Sequence, residues 1–168
     1  MISSVGLEHY LDRVGVTGSN PVSPTMTKKI FLTPIVTLGI IFIVLGLRWM
    51  LVDEPWMLDK VANEERLEMS FDELFQEEIN NTLPGYLRQI YQFFGLWVGV
   101  IGLFIFLFAR TSLTNVSKVR ISLLICIGTM ILFGTIMAHM LIPSSPFVYL
   151  AWGLVILYSI SFYAHKSL

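Results

Sequence analysis

The sequence predicts an all-α integral membrane protein, an antiparallel four-helix bundle with one long acidic outer loop that contains a short amphipathic helix. Three observations carry this expectation. The 168 residues are 55% hydrophobic and only 14% charged, with a mean hydropathy of +0.72, which is too apolar for an ordinary soluble domain. Four continuous apolar runs each approach the roughly 20 residues that a helix needs to cross a hydrocarbon core about 30 Å thick. All ten acidic residues from Met26 onward lie between the first and second of these runs.

The runs are 30–52, 90–109, 121–141 and 147–164, and none contains an internal Asp, Glu or Lys. They are continuously apolar rather than alternating, and lipid forces every backbone donor and acceptor to pair internally, so helices are predicted and a barrel is not. Residues 26–168 therefore read as one four-span membrane domain with an outer loop over 53–89. The single cysteine, Cys126, lies inside the third run, so no disulfide can form within the chain.

Charge sets the orientation. Lys28, Lys29, Arg110, Lys118, Arg120 and Lys166 fall on one side of the spans, and Arg48, Lys60, Arg66 and Arg88 fall on the other together with the ten acids. Basic residues accumulate in short cytoplasmic loops, which predicts both termini inside, and a bacterial inner membrane fits the pattern.

Residues 1–25 are different in kind. Glu8, Asp12 and Arg13 interrupt any apolar run and Gly15, Gly18, Pro21 and Pro24 interrupt any helix, so the segment is no secretory signal and reads as a disordered cytoplasmic tail. A second reading comes from the genetic code. "GSNPVSPT" resembles the conceptual translation of the 3′ end of a transfer RNA gene, which implies that Met26, opening "MTKKIF", is the true start.

The outer loop carries its own pattern. Ser70 and Glu73 stand at capping-box spacing, and Phe71, Leu74, Phe75 and Ile79 recur at helical intervals, which predicts an amphipathic helix over 71–80. A second helix is expected over 56–65, with Asp53 as cap and Pro55 in the first turn. Such a helix could serve as a lid or docking face, or could simply lie on the bilayer or the bundle mouth. The acid run lacks the ligand spacing of a calcium loop.

Within the spans, Gly95, Gly99 and Gly102 form a flat face for close helix approach, either inside the chain or between copies. Ionisable groups near the membrane are the first place to look for function, and the candidates are Arg48, Arg88 and His139, all near the outer span ends. Antiparallel spans should bring them to one depth beneath the acidic loop, forming an outer-mouth polar cluster. Trp49, Trp56, Tyr86, Tyr91 and Tyr149 gather at the same boundary as expected interfacial anchors. No catalytic residue, cofactor site or metal site is predicted, because the sequence offers no cysteine pair, phosphate loop, zinc motif, hydrolase elbow or mid-span carboxylate. His139 and His165 fall at opposite membrane faces, which does not suit bis-histidine haem.

The stretch "LPGYLRQIYQFFGLWVGVIGLF", 83–104, with an arginine and aromatics opening a glycine-rich second span, resembles small four-span bacterial proteins of the DoxX-like type. That resemblance implies an inner-membrane four-helix bundle and carries no activity onto named residues. The expected function is a non-enzymatic structural or interaction component whose partners are the lipid bilayer and a second copy or another membrane protein, not nucleic acid. The alternative is a small transporter or ligand-binding protein with an outer-facing pocket near Arg48, Arg88 and His139.

Overall fold

The computed structural model describes residues 24–168, and the expectations for the tail fall almost wholly on 1–23, outside the described residues. Those described form helices and turns, with no strand. Four helices are long and apolar enough to cross a membrane: α1 (Pro24–Leu51), α4 (Leu83–Ala109), α5 (Ser117–Leu141) and α6 (Phe147–His165). Two short helices, α2 (Lys60–Leu67) and α3 (Phe71–Gln76), lie between α1 and α4, flanked by 3-10 turns at Pro55–Asp59 and Glu78–Asn80.

The long helices overrun the apolar stretches that signalled them. α1 begins before Lys28 and Lys29, and α4 begins at Leu83 with Pro84 in its first turn, because Lys is a good helix former and an early proline costs no hydrogen bond. Only 22–33% of the most apolar window of each helix is buried inside the protein, so Val44, Phe93, Phe104, Phe133 and Ile156 present an apolar exterior.

α1 is the central helix. It packs along α4 on one side and along α6 on the other, and α5 packs on α6. Each of these pairs is antiparallel, as the paired residues show: Gly46 lies against Gly95 and Gly39 against Gly102, Trp49 meets Phe147 while Phe31 meets His165, and Arg120 reaches His165 while His139 reaches Trp152. α4 and α5 do not pack on one another over any length.

The α1–α4 seam is built from glycine. A Cβ added to Gly46 would stand 2.4 Å from the Gly99 nitrogen, one on Gly102 would stand 2.6 Å from the Ile43 nitrogen, and one on Gly95 would stand 2.7 Å from the Gly46 carbonyl oxygen. Backbones can approach so closely only where no side chain intervenes. At Gly99 the arrangement differs, because its own Cβ would meet the Gly46 Cα at an ordinary 3.8 Å.

The dry core occupies one half of the molecule, where Phe31, Ile35, Leu38, Ile105, Leu124 and Ile127 interdigitate. At that end Arg120 is buried. Its Nη1 donates to the carbonyls of Thr114 (3.0 Å) and Asn115 (2.9 Å), and its Nε donates to His165 Nδ1 (3.2 Å). The guanidinium thus holds the α4–α5 turn against the end of α6. Ser161, fully buried, ties α6 to α1 by donating to the Phe31 carbonyl at 2.8 Å.

The segment between α1 and α4 departs from expectation in two places. The helix expected over 71–80 is two pieces, because Glu77 is extended (φ −68°, ψ 125°) and the Asn80 side chain donates to the Leu74 carbonyl at 2.9 Å, satisfying the last turn of α3. Ile79, expected on the apolar stripe, is 88% exposed. The helix expected over 56–65 is a 3-10 turn followed by α2, and Glu54, not Asp53, precedes the turn without making a side-chain cap bond. The capping box does form: Ser70 Oγ accepts from the Glu73 amide, and the Glu73 carboxylate accepts from the Ser70 amide at 2.9 Å. The two Ser70 donors, backbone first and hydroxyl second, hold the Glu73 carboxyl below its ordinary value.

Candidate functional site: a cavity beneath the cap

The segment 53–82 folds as a cap over one end of the long helices, and aromatic packing is what gives it a core. Trp56 and Phe71 are buried, Phe75 meets Trp56 edge-on at 5.6 Å, and Phe71 stacks on Phe75 at 5.5 Å. Polar bonds then fasten the cap to both sides of the gap. On one side Asn63, which also donates to the Trp56 carbonyl within the cap (3.0 Å), donates to the Tyr91 hydroxyl of α4 (3.3 Å). On the other, Arg66 donates to the Leu141 carbonyl at the end of α5 (3.3 Å), and Ser144 in the α5–α6 turn donates to the Glu65 carboxylate.

Beneath the cap lies a cavity of about 620 Å³ bounded by α1, α4, α5 and α6. Its existence follows from the packing just described: α1 meets α4 and α6, α5 meets α6, and α4 and α5 do not pack along one another. The walls are apolar, supplied by Phe42, Trp49, Phe94, Ile101, Met130 and Leu154 among others. Trp49 fixes the cap end by lying against Phe94 of α4 (4.9 Å) and Phe147 of α6 (5.2 Å). This size and lining suit a small organic molecule, since ligand pockets run from about 300 to 1,000 Å³ and are mostly apolar with a few placed polar groups.

The polar groups are few and sit toward the cap: Asp59, Asn63, Tyr91 and Thr135. Asp59 Oδ1 and Thr135 Oγ1 are both buried without a hydrogen-bond partner. Buried polar atoms are nearly always paired, so two orphans in one cavity wall mark it out from ordinary packing. Thr135 lies six residues before the end of α5, about 9 Å below the cap at 1.5 Å per residue. Deeper in the cavity only apolar side chains and glycine remain.

The residues singled out from sequence are placed elsewhere. Arg48, Arg88 and His139 are all exposed, none lines the cavity, and no hydrogen bond or ion pair joins them to one another. Arg88 does meet the cap, through a single Nη2 to Asp53 Oδ1 bond at 2.6 Å, with both side chains well exposed. His139 packs edge-on against Trp152 at 5.9 Å, and its Nδ1 lies 2.9 Å from the Thr135 carbonyl. Of the glycines, Gly95 and Gly102 are buried in the α1–α4 seam, with Gly99 between them facing Gly46. Among the described residues, no group of three or more His, Cys, Asp or Glu could hold a metal ion. Cys126 is exposed on α5.

Sequence reasoning missed Asp59 and Thr135. Asp59 is one acid among ten in a polar segment, and nothing local distinguishes it. Thr135 carried a faint signal as a hydroxyl inside an apolar span, a type that usually bonds back to its own helix. Comparison with known proteins found no match: neither a family model, nor a curated relative, nor a solved structure corresponds to this chain.

Proposed function

We propose that this chain is a four-span membrane protein that receives a hydrophobic small molecule in the cavity beneath its cap. The observation that carries the reading is the cavity itself, with apolar walls, no extended packing of α4 on α5 beside it, and two unpartnered oxygens beneath the cap. An opening flanked by apolar helices faces the lipid in such a protein, so a ligand dissolved in the bilayer enters sideways. The spans form an antiparallel four-helix bundle with the acidic cap outside and both termini cytoplasmic, in a bacterial inner membrane. The basic residues at the capless end, from Lys28 to Lys166, support that orientation.

Packing of the glycine face within the chain supports this reading over one in which that face joins two copies. The glycine face of α4 is turned against Gly39 and Gly46 of α1, and small residues already in contact inside one chain are not free to join two.

The test is photolabelling with a headgroup-free alkyl diazirine in phosphatidylcholine nanodiscs. A Cβ at Gly134, which lines the cavity, would meet nothing within 4 Å, so Gly134→Phe fills the space and Gly134→Ala leaves it open. Adducts at Met130 and Met137 in the wild type and Gly134→Ala, lost in Gly134→Phe, are expected. Equal labelling of all three proteins would refute the reading.

A further inference from the structure

We infer that the ligand is a single-chain amphiphile whose head is a protonated amine, held at the cap by the Asp59 carboxylate with its tail along α4 and α5; this rests on the cavity reading above. The charge of the lining decides the head. Asp59 is its one carboxylate, and no Lys, Arg or His contributes to it. An anionic head would bring like charge to an apolar site with no cation to receive it, whereas an ammonium brings the counter-charge and the N–H donors that a carboxylate accepts.

The unused hydrogen-bonding capacity points the same way. Among the described residues Asp59 Oδ1 has no hydrogen-bond partner and Asp59 enters no ion pair, whereas three other cap acids are engaged: Glu64 with the Phe71 amide and Lys60, Glu65 with Ser144, and Asp53 with Arg88. The terminal torsion of an aspartate is soft, so either oxygen can turn to a ligand. Thr135 Oγ1, also unpartnered, lies about 9 Å below the cap, at the depth of the first carbons of the chain rather than of the head. The Asn63 amide and Tyr91 hydroxyl are already bonded to each other and so form a fixed wall beside the carboxylate.

The shape decides the tail. From Tyr91 to Ile101 on α4 the lining extends for ten residues, about 15 Å of helix, and from Met130 to Leu141 on α5 for eleven, about 16 Å. A single alkyl chain of medium length matches this slot. A diacyl phospholipid does not, because its phosphate would have to enter beside Asp59 with no cation to meet it.

The experiment uses the full chain in phosphatidylcholine nanodiscs, with the alkyl diazirine as reporter and dodecylamine, dodecanol and dodecanoate as competitors at matched mole fraction. A charge-assisted hydrogen bond contributes enough for about a tenfold advantage, so dodecylamine should displace the reporter at about one tenth of the dodecanol concentration and dodecanoate should be weakest. Asp59→Asn, which keeps the shape, should bring amine and alcohol to equal potency while reporter labelling persists. Equal potency of the three competitors on the wild type would overturn the amine assignment and leave the cavity reading standing. Labelling unaffected by Gly134→Phe would remove the cavity reading and this inference together. Displacement by phosphatidylethanolamine as effective as by dodecylamine would assign the head to a lipid and overturn the single-chain ligand.

Discussion

The glycine seam gives a quantitative contrast between two glycines that face each other across α1 and α4. In Gly46→Ala the new Cβ would lie 2.4 Å from the Gly99 nitrogen, 2.5 Å from the Gly95 carbonyl oxygen and 2.6 Å from the Gly99 Cα. All three are backbone atoms of α4, so no side chain can swing away. Ordinary van der Waals contact begins at 3.4 Å, and 3.4 minus 2.4 gives about 1.0 Å by which α1 and α4 must separate locally. Overpacking of this kind costs roughly 1–3 kcal/mol, and here the separation also loosens the Gly39 and Gly102 contacts two turns away. Gly99→Ala is the control, because its Cβ meets only the Gly46 Cα at 3.8 Å and alanine is the better helix former. Thermal unfolding of the purified protein in mild detergent, followed by size-exclusion chromatography, reads the difference. Gly46→Ala should melt several degrees below the wild type and Gly99→Ala at or above it. Equal stability of Gly46→Ala and wild type, or equal losses in both variants, would refute the close-packed seam.

Trp56→Ala should free the cap, because it removes the residue on which Phe71 and Phe75 pack, and large aromatic truncations cost roughly 3–5 kcal/mol; Arg88→Ala should cost under about 1 kcal/mol, since its pair with Asp53 is exposed. Limited proteolysis within 53–82 separates the two. Ser70→Ala should weaken α3 by about 1 kcal/mol, and fraying should also appear on acidification. Because folding lowers the Glu73 value, its contribution is present above the ordinary carboxyl value and is lost as pH falls through the depressed one, which hydrogen exchange over 71–76 can follow. Arg120→Met should expose the α4–α5 turn to protease and lower the melting temperature, since it leaves the Thr114 and Asn115 carbonyls without their donor, at about 1–3 kcal/mol.

The long helices were legible because an unbroken apolar run of about 20 residues matches the thickness of a bilayer and rarely occurs in a water-soluble domain; the Ser70–Glu73 capping box was legible because it is a local code. Local codes stop where tertiary contacts begin. Ile79 fitted the stripe of an amphipathic helix, yet Asn80 turns back to Leu74 and ends that helix first. Grouping Arg48, Arg88 and His139 relied on equal depth along the spans, but depth says nothing about azimuth, and in the structure the three are exposed and not bonded to one another, Arg88 meeting Asp53 and His139 packing on Trp152. The same ignorance of azimuth hid Arg120, which by sequence is one more basic residue of an inner loop and in the structure is buried against His165. A cavity is a property of which helix pairs fail to touch, and no single-chain pattern encodes that.

The order of contacts around α1 bears on how the chain assembles and moves. α1 and α4 are consecutive long helices and form one hairpin, locked by glycine; α5 and α6 form the next, held at the capless end by Arg120 and His165. The two hairpins meet chiefly along α1 and α6, as two boards meet at a spine, with Leu124 and Ile127 of α5 adding to the core at the capless end. The first hairpin is contiguous in sequence, and the Ser161 bond to the Phe31 carbonyl is one of the contacts that can form only when the second hairpin joins it. Rotation about that spine would widen or narrow the α4–α5 gap while the glycine seam stays shut. The cap is tied to Tyr91 on one board and to Leu141 and Ser144 on the other, so it spans the gap as a clasp that only the loss of the Arg66 and Glu65 bonds would free on the second side.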